Sequence, residues 1–177
     1  QGGLVEMVTP FLKNKGWAGN PNQFVTWWRR KHFEDSMIDS LIDNGHTPYR
    51  QIGHRAVSHV MDRAEIAYSQ NDVEWLISCI EKLKPFPDVI KSLEALKNSY
   101  RLCILSNGDR DMLETAKKYI GFNFDLTISV QEAGAFKPDW RTYAEAEKII
   151  HQKFGELKGV GFFLLPICLL YTSPSPR

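Results

Sequence analysis

The second half of the chain alternates short apolar segments with helical patterns. Residues 101–105 and 126–130 have the length and apolar character of buried strands. The segments around them repeat apolar residues at helical spacing, namely Val89–Lys97, 112–120 and Trp140–Phe154. Strands that alternate with helices form parallel sheets joined by crossover connections. The pattern therefore predicts part of a doubly wound α/β core.

The first half of the sequence has helical patterns only. Apolar residues recur at the helical period in 24–42, helices are also predicted for 54–67 and 73–83, and Asn71 and Glu74 have the spacing of a capping box. Two prolines in 84–87 then interrupt the pattern. We predict a helical cap subdomain over residues 1–85 and a partial α/β core over residues 86–157.

The last twenty residues, 158–177, are predicted to be an unreliable or artefactual tail. Residues 168–177 read CLLYTSPSPR, which looks like the in-frame translation of a sequencing adapter. The apolar run before them contains Gly161 and Pro166 and is too short to span a bilayer. We therefore leave the tail out of the fold prediction.

Charge and cysteine content favour a small-molecule partner in a reducing compartment. The 22 basic and 21 acidic residues give a net charge of +1, and no basic cluster suggests binding to nucleic acid or to a membrane surface. Cys79, Cys103 and Cys168 lie far apart, without the spacing of metal ligands. We expect a cytoplasmic protein without a metal site.

Polar residues follow each predicted strand. Ser106 and Asn107 come directly after 101–105, where a doubly wound fold binds ligands and the next helix presents its N-terminus. An ordinary turn would use the same residue types. Lys137 lies just past the next strand, on the same expected edge of the sheet, where an ammonium would keep a neighbouring carboxylate ionised.

Three ordered motifs occur in the sequence, namely Ser-Asn-Gly at 106–108, Lys-Pro-Asp-x-Arg-x-Tyr at 137–143, and the Trp-Arg segment WRRKHFE at 28–34. Together they resemble the motifs of the haloacid dehalogenase (HAD) superfamily, in particular those of the type II 2-haloacid dehalogenases. The resemblance covers roughly residues 24–154. It implies a HAD-like, Rossmann-like core with an inserted all-helical cap.

The resemblance also implies a reaction and the residues that carry it. An aspartate would displace halide from C2 of a short 2-haloacid, and water would hydrolyse the resulting ester, with no metal or organic cofactor. The implied catalytic residues are Lys137, Ser106, Asn107, Arg29 and Tyr143, and the implied substrate-binding residues are Ser106, Asn107, Arg29, Phe33 and Trp28.

Each implied residue has an expected role. Ser106 and Asn107 would hold the substrate carboxylate, and Arg29 would meet the halide or the carboxylate. Lys137 would pair with the nucleophile, and Tyr143 would support Lys137. Arg29 has a simpler alternative, which is to stack on the neighbouring Trp27 and Trp28 at the cap surface. The resemblance also leaves a homodimer open.

Two departures from the family pattern leave alternatives open. The first motif, Asp-x-x-Gly-Thr, should precede the cap, yet the sequence begins inside the expected cap, and no fourth motif follows Phe154. We therefore expect the nucleophile to be missing and the chain as written to be inactive. A Mg²⁺-dependent phosphatase of the same superfamily remains an alternative, as does a non-catalytic fragment.

Overall fold

The first half of the chain consists of four helices. The structure is a computed structural model, and it describes residues 2–43 and 45–155. The four helices are α1 (Gly2–Asn14), α2 (Pro21–Ile42), α3 (Tyr49–Arg63) and α4 (Gln70–Glu81). The predicted tail, 158–177, lies outside the described residues. Across the part that is described, no helix is both long and apolar enough to cross a membrane.

The second half contains a small parallel sheet between helices. Its elements are α5 (Val89–Lys97), β1 (Cys103–Ser106), α6 (Arg110–Ile120), β2 (Leu126–Ser129), a 3-10 turn (Val130–Glu132) and α7 (Trp140–Phe154). The two strands pair in parallel, with Cys103 opposite Leu126 and Ser106 opposite Ser129. The predicted α/β class with a parallel sheet is confirmed.

Helix α3 begins earlier than its sequence pattern predicts. The prediction placed its start at His54, but the helix begins at Tyr49. The carboxylate of Asp109 accepts hydrogen bonds from the backbone N–H groups of Tyr49 and Arg50, both at 2.9 Å. These donors would have no partner inside the helix, so a carboxylate some sixty residues away in sequence acts as the cap. Local spacing cannot reveal such a cap.

The start of α4 also differs from its prediction. The capping box of α4 consists of Ser69 and Asp72, not of Asn71 and Glu74, because the helix begins at Gln70. Helix α1 had no individual prediction. It buries Leu4, Val8 and Leu12, which are four residues apart and so lie on one face of the helix.

The helical half and the sheet interlock through their apolar side chains. A large core formed by α1 to α4 includes Phe24 and Trp28, both fully buried, and also takes in Met112 of α6. A second core lies on the sheet and includes Leu105 and Phe136, but also Ile52 of α3. Each half therefore contributes a buried side chain to the other's core.

The hydrogen bonds between Asp109 and the start of α3 predict that Asp109 is important for stability. Replacement of this buried residue by Ala leaves two partly buried N–H donors at the start of α3 without their acceptor, so the free energy of unfolding should fall by about 2 to 3 kcal/mol. Asp111→Ala is the matched control, because the Asp111 side chain is 70% exposed and its ion pair with Arg50 should contribute less than about 1 kcal/mol. Urea unfolding measures both, and equal losses would contradict the cap.

His32 is a buried titratable group between α2 and α3. Its Nε2 lies 3.0 Å from the carbonyl oxygen of Tyr49 and must carry the proton, since a carbonyl only accepts. The ring stacks on that of Tyr49 at 3.9 Å. Burial lowers the pKa of His32 to about 4, although the hydrogen bond to Tyr49 and the charge of Asp35 oppose this shift. His32 is therefore neutral at neutral pH.

Acid should destabilise the protein through His32. Because its pKa is lower in the folded state than in the unfolded one, the unfolded state binds more protons between pH 6.5 and about 4, and stability falls as pH falls through that window. The full difference is about 3 kcal/mol. His32→Gln keeps an N–H donor for Tyr49 and removes the titration. Urea unfolding at pH 7, 5.5 and 4 should show a steeper loss for the unmutated protein; parallel pH profiles would refute the assignment.

Candidate active site

The loop after β1 is fixed by hydrogen bonds within and between the two strands' ends. Ser106 is buried, and its Oγ accepts from the backbone N–H of Gly108 at 3.2 Å. Ser129, opposite Ser106 in the sheet, donates its hydroxyl to the carbonyl oxygen of Gly108 at 2.8 Å. Since the Ser106 oxygen acts as acceptor within the loop, its O–H proton remains available to donate to a ligand.

Lys137 is held against the same strand end from the other loop. Its backbone N–H donates to Oδ1 of Asn107 at 2.9 Å, and its Nζ donates to the carbonyl oxygen of Leu105 at 2.7 Å. The positive charge of this ammonium attracts a nearby anion. The side-chain oxygen of Asn107 thus positions Lys137, while its amide N–H₂ is not required for that contact.

Helix α7 carries Tyr143 at the same edge of the sheet. Asp139 caps the helix by accepting from the backbone N–H of Arg141 at 2.9 Å. This cap fixes the start of the helix directly after Lys137-Pro138 and therefore the direction in which its first turn points. Tyr143, in that first turn, is 36% exposed.

The cap side of the site is one face of α2. Arg29, His32 and Phe33 are three and four residues apart, which places them on the same side of a helix. The Arg63 guanidinium lies 4.3 Å from the centre of the Trp27 ring. Trp28 is fully buried, and Phe33 is 53% exposed.

The strand ends and α2 enclose one cavity of about 600 Å³. All seven predicted site residues line it: Trp28, Arg29, Phe33, Ser106, Asn107, Lys137 and Tyr143. Their placement agrees with the predicted common cleft, while their chemical roles stay predictions. The remaining wall is mainly apolar and includes Leu4, Ile80, Leu83, Met112, Leu113 and Ala116. Such a site suits a small organic anion, with cations to bind its charge and apolar walls for its carbon atoms.

Sequence reasoning missed three titratable residues that line this cavity, His32, Tyr49 and Glu81. Glu81 is only 8% exposed, and Nη1 of Arg50 lies 2.6 Å from its Oε1. One signal could have identified it, because Glu81 follows Ile77 by four residues and so takes a position on the apolar stripe of α4. His32 and Tyr49 gave no such signal, because an apolar-face histidine and an aromatic residue are ordinary core residues.

Among the described residues, no group of three or more His, Cys, Asp or Glu side chains is arranged to hold a metal ion. Within the same part of the chain, Glu81 is the one carboxylate that lines the cavity. The cations Arg29 and Lys137 line it as well. The charge of the cavity wall therefore favours an anion near Lys137 and Arg29.

Curated relatives of the chain are haloacid dehalogenases. (S)-2-haloacid dehalogenase H-109 of Pseudomonas putida is 27% identical over 154 residues, which cover 80% of this chain and 68% of the relative. (S)-2-haloacid dehalogenase 4A of Burkholderia cepacia is 25% identical, over 80% of this chain and 63% of the relative. The chain thus spans about two thirds of the length of these relatives.

The structural comparison agrees in fold. The structure of L-2-haloacid dehalogenase from Xanthobacter autotrophicus superposes with a TM-score of 0.73 at 24% identity, covering 82% of this chain and 59% of that protein. Residues 22–158 match the family described as haloacid dehalogenase-like hydrolase, which is well over half of the sequence. On that match, the chain belongs to the haloacid dehalogenase-like hydrolases.

Proposed function

We propose that the protein to which this chain belongs hydrolyses the carbon–halogen bond of short 2-haloacids. The proposal rests on one observation. Ser106 and Lys137 at the sheet edge line the same cavity as Arg29 of α2, and the walls of this cavity are largely apolar. The relatives named above are haloacid dehalogenases, which supports the same reaction.

The proposed reaction has two steps. A carboxylate oxygen attacks C2 of the substrate, the carbon–halogen bond breaks, and halide leaves with the bonding electrons. Water then attacks the carbonyl carbon of the resulting ester, which releases the 2-hydroxy acid and a proton and restores the carboxylate. The nucleophile that we propose is an aspartate of the full-length protein that is missing from this sequence, as the family resemblance implies.

The cavity residues take the following proposed roles. The Ser106 hydroxyl and the amide N–H₂ of Asn107 bind the substrate carboxylate. In the contacts described above the side-chain oxygens of both residues act as acceptors, so their donor groups suit an anion. Lys137, fixed to Leu105 and Asn107, keeps the nucleophile ionised. Arg29 stabilises the departing halide, and Tyr143 orients the ammonium of Lys137.

The helices α1 to α4 are proposed to act as the cap that excludes water from this chemistry. Trp28 and Phe33 would then contact the carbon atoms of the substrate from the cap side, as part of the cavity wall. Exclusion of water strengthens the electrostatic contacts of the attacking carboxylate. No metal or organic cofactor takes part in the proposed steps.

Substrate choice tests the proposal directly. The full-length protein should release chloride from 2-chloropropionate without added metal, because the proposed displacement needs only the carboxylate and the cations of the cavity. Phosphate release from p-nitrophenyl phosphate, with and without Mg²⁺, is measured in parallel. Phosphate release that depends on Mg²⁺, in the absence of chloride release, would favour the phosphatase instead.

Removal of Lys137 should abolish the proposed reaction. In Lys137→Ala a carboxylate nucleophile loses the ammonium that keeps it ionised, so kcat should fall by about a thousandfold or more. Lys148→Ala is the matched control, since Lys148 is an exposed lysine of α7 that pairs with Glu145 away from the cavity. Steady-state chloride release measures both variants. A Lys137 variant that is folded, by its thermal unfolding, and retains normal kcat would exclude the proposed role.

A further inference from the structure

Glu81 is a buried acid in a wall of the cavity that is otherwise apolar. It is the last residue of α4 and is 8% exposed. Ile80 and Leu83 flank it in the wall, and Met112 and Leu113 of α6 line the same cavity. A carboxylate is rarely buried in such surroundings unless it is paired, and its presence requires an explanation.

The ion pair of Glu81 neutralises its charge without using its full capacity for hydrogen bonds. Nη1 of Arg50 lies 2.6 Å from Oε1 of Glu81, while the other terminal nitrogen of Arg50 donates to Asp111 at 2.7 Å. Arg50 thus holds the Glu81 carboxylate through Oε1, whereas a carboxylate has about four lone-pair sites on its two oxygens. The acceptor capacity that Arg50 does not use can bind a donor that enters the cavity.

We propose that Glu81 selects 2-haloacids whose side chain carries a hydrogen-bond donor, either a hydroxyl or an ammonium group, over alkyl acids of the same size. The inference rests on the proposed function. In that function Ser106 and Asn107 hold the substrate carboxylate at the sheet edge, and Glu81 belongs to the wall contributed by α4 and α6. A cavity of about 600 Å³ has room for a substituent beyond the three carbon atoms of 2-chloropropionate.

The selectivity follows from the asymmetry of hydrogen bonding in a buried site. A substrate with a donor replaces water at the Glu81 carboxylate, whereas an alkyl substrate displaces water and leaves the acceptor unsatisfied. Sites built to bond a substrate hydroxyl therefore reject the analogue that lacks it far more strongly than an apolar pocket rejects an extra methyl group. Glu81 would thus determine specificity and take no part in bond breaking.

A pair of substrates of equal size tests this proposal. 2-Chloro-3-hydroxypropanoate and 2-chlorobutanoate differ only by a hydroxyl in place of a methyl group. The full-length protein should show the higher kcat/KM for the hydroxy acid, and Glu81→Leu should lower the ratio of the two values by about ten- to a hundredfold. Glu81→Gln, which retains an acceptor without the charge, should give an intermediate ratio.

The ratio is independent of how much of a variant folds, because both substrates are measured on the same preparation. Glu74→Leu is the control, since Glu74 is an exposed acid on the same helix and does not line the cavity. Its ratio should equal that of the unmutated protein. If Glu81→Leu leaves the ratio unchanged, Glu81 is only a structural ion-pair partner and the selectivity is refuted. Chloride release from neither substrate would instead overturn the proposed function itself.

Discussion

The arrangement depends above all on the hydrogen bonds of residues 106–109, which are the last residue of β1 and the loop that follows it. Asp109 caps α3, and Asn107 holds the backbone of Lys137. The carbonyl oxygen of Gly108 accepts a hydrogen bond from the Ser129 hydroxyl, and Ser106 lines the cavity. One short loop therefore fixes the helical half, the second strand end and the lysine relative to each other. Because the residues that make these contacts are consecutive in the chain, a shift of this segment would disturb all of the contacts together.

Packing reinforces this loop from both sides. Ile52 of α3 enters the core that lies on the sheet, and Met112 of α6 enters the core of the helices. Tyr49 connects the two regions, since its ring stacks on His32 of α2 at 3.9 Å and lies 5.8 Å from the ring of Phe136. These contacts bring α2 over the strand ends, so that Arg29 and Lys137 line one cavity although they are far apart in sequence.

The sequence predicted what local patterns determine. The apolar strands followed by Ser106 and, further on, by Lys137 predicted a common cavity edge, and the family resemblance of WRRKHFE implied that Trp28, Arg29 and Phe33 belong to the site. Prediction from the sequence failed where a feature depends on a residue that is distant in the chain. The start of α3 depends on Asp109, and the environment of Glu81 depends on Arg50, neither of which is a sequence neighbour. The capping box of α4 was assigned two residues late because Ser69 and Asn71 are both common cap residues.

The central claim is that the cavity at the strand ends binds the carboxylate of a small organic acid. A crystal structure of the full-length protein with 2-hydroxypropanoate, the product expected from 2-chloropropionate, tests it most directly. The account predicts a carboxylate oxygen within about 3.2 Å of the Ser106 Oγ, with the rest of the product lying between Lys137 and Arg29. A product carboxylate bound elsewhere, with Ser106 making only its contact to Gly108, would contradict the account.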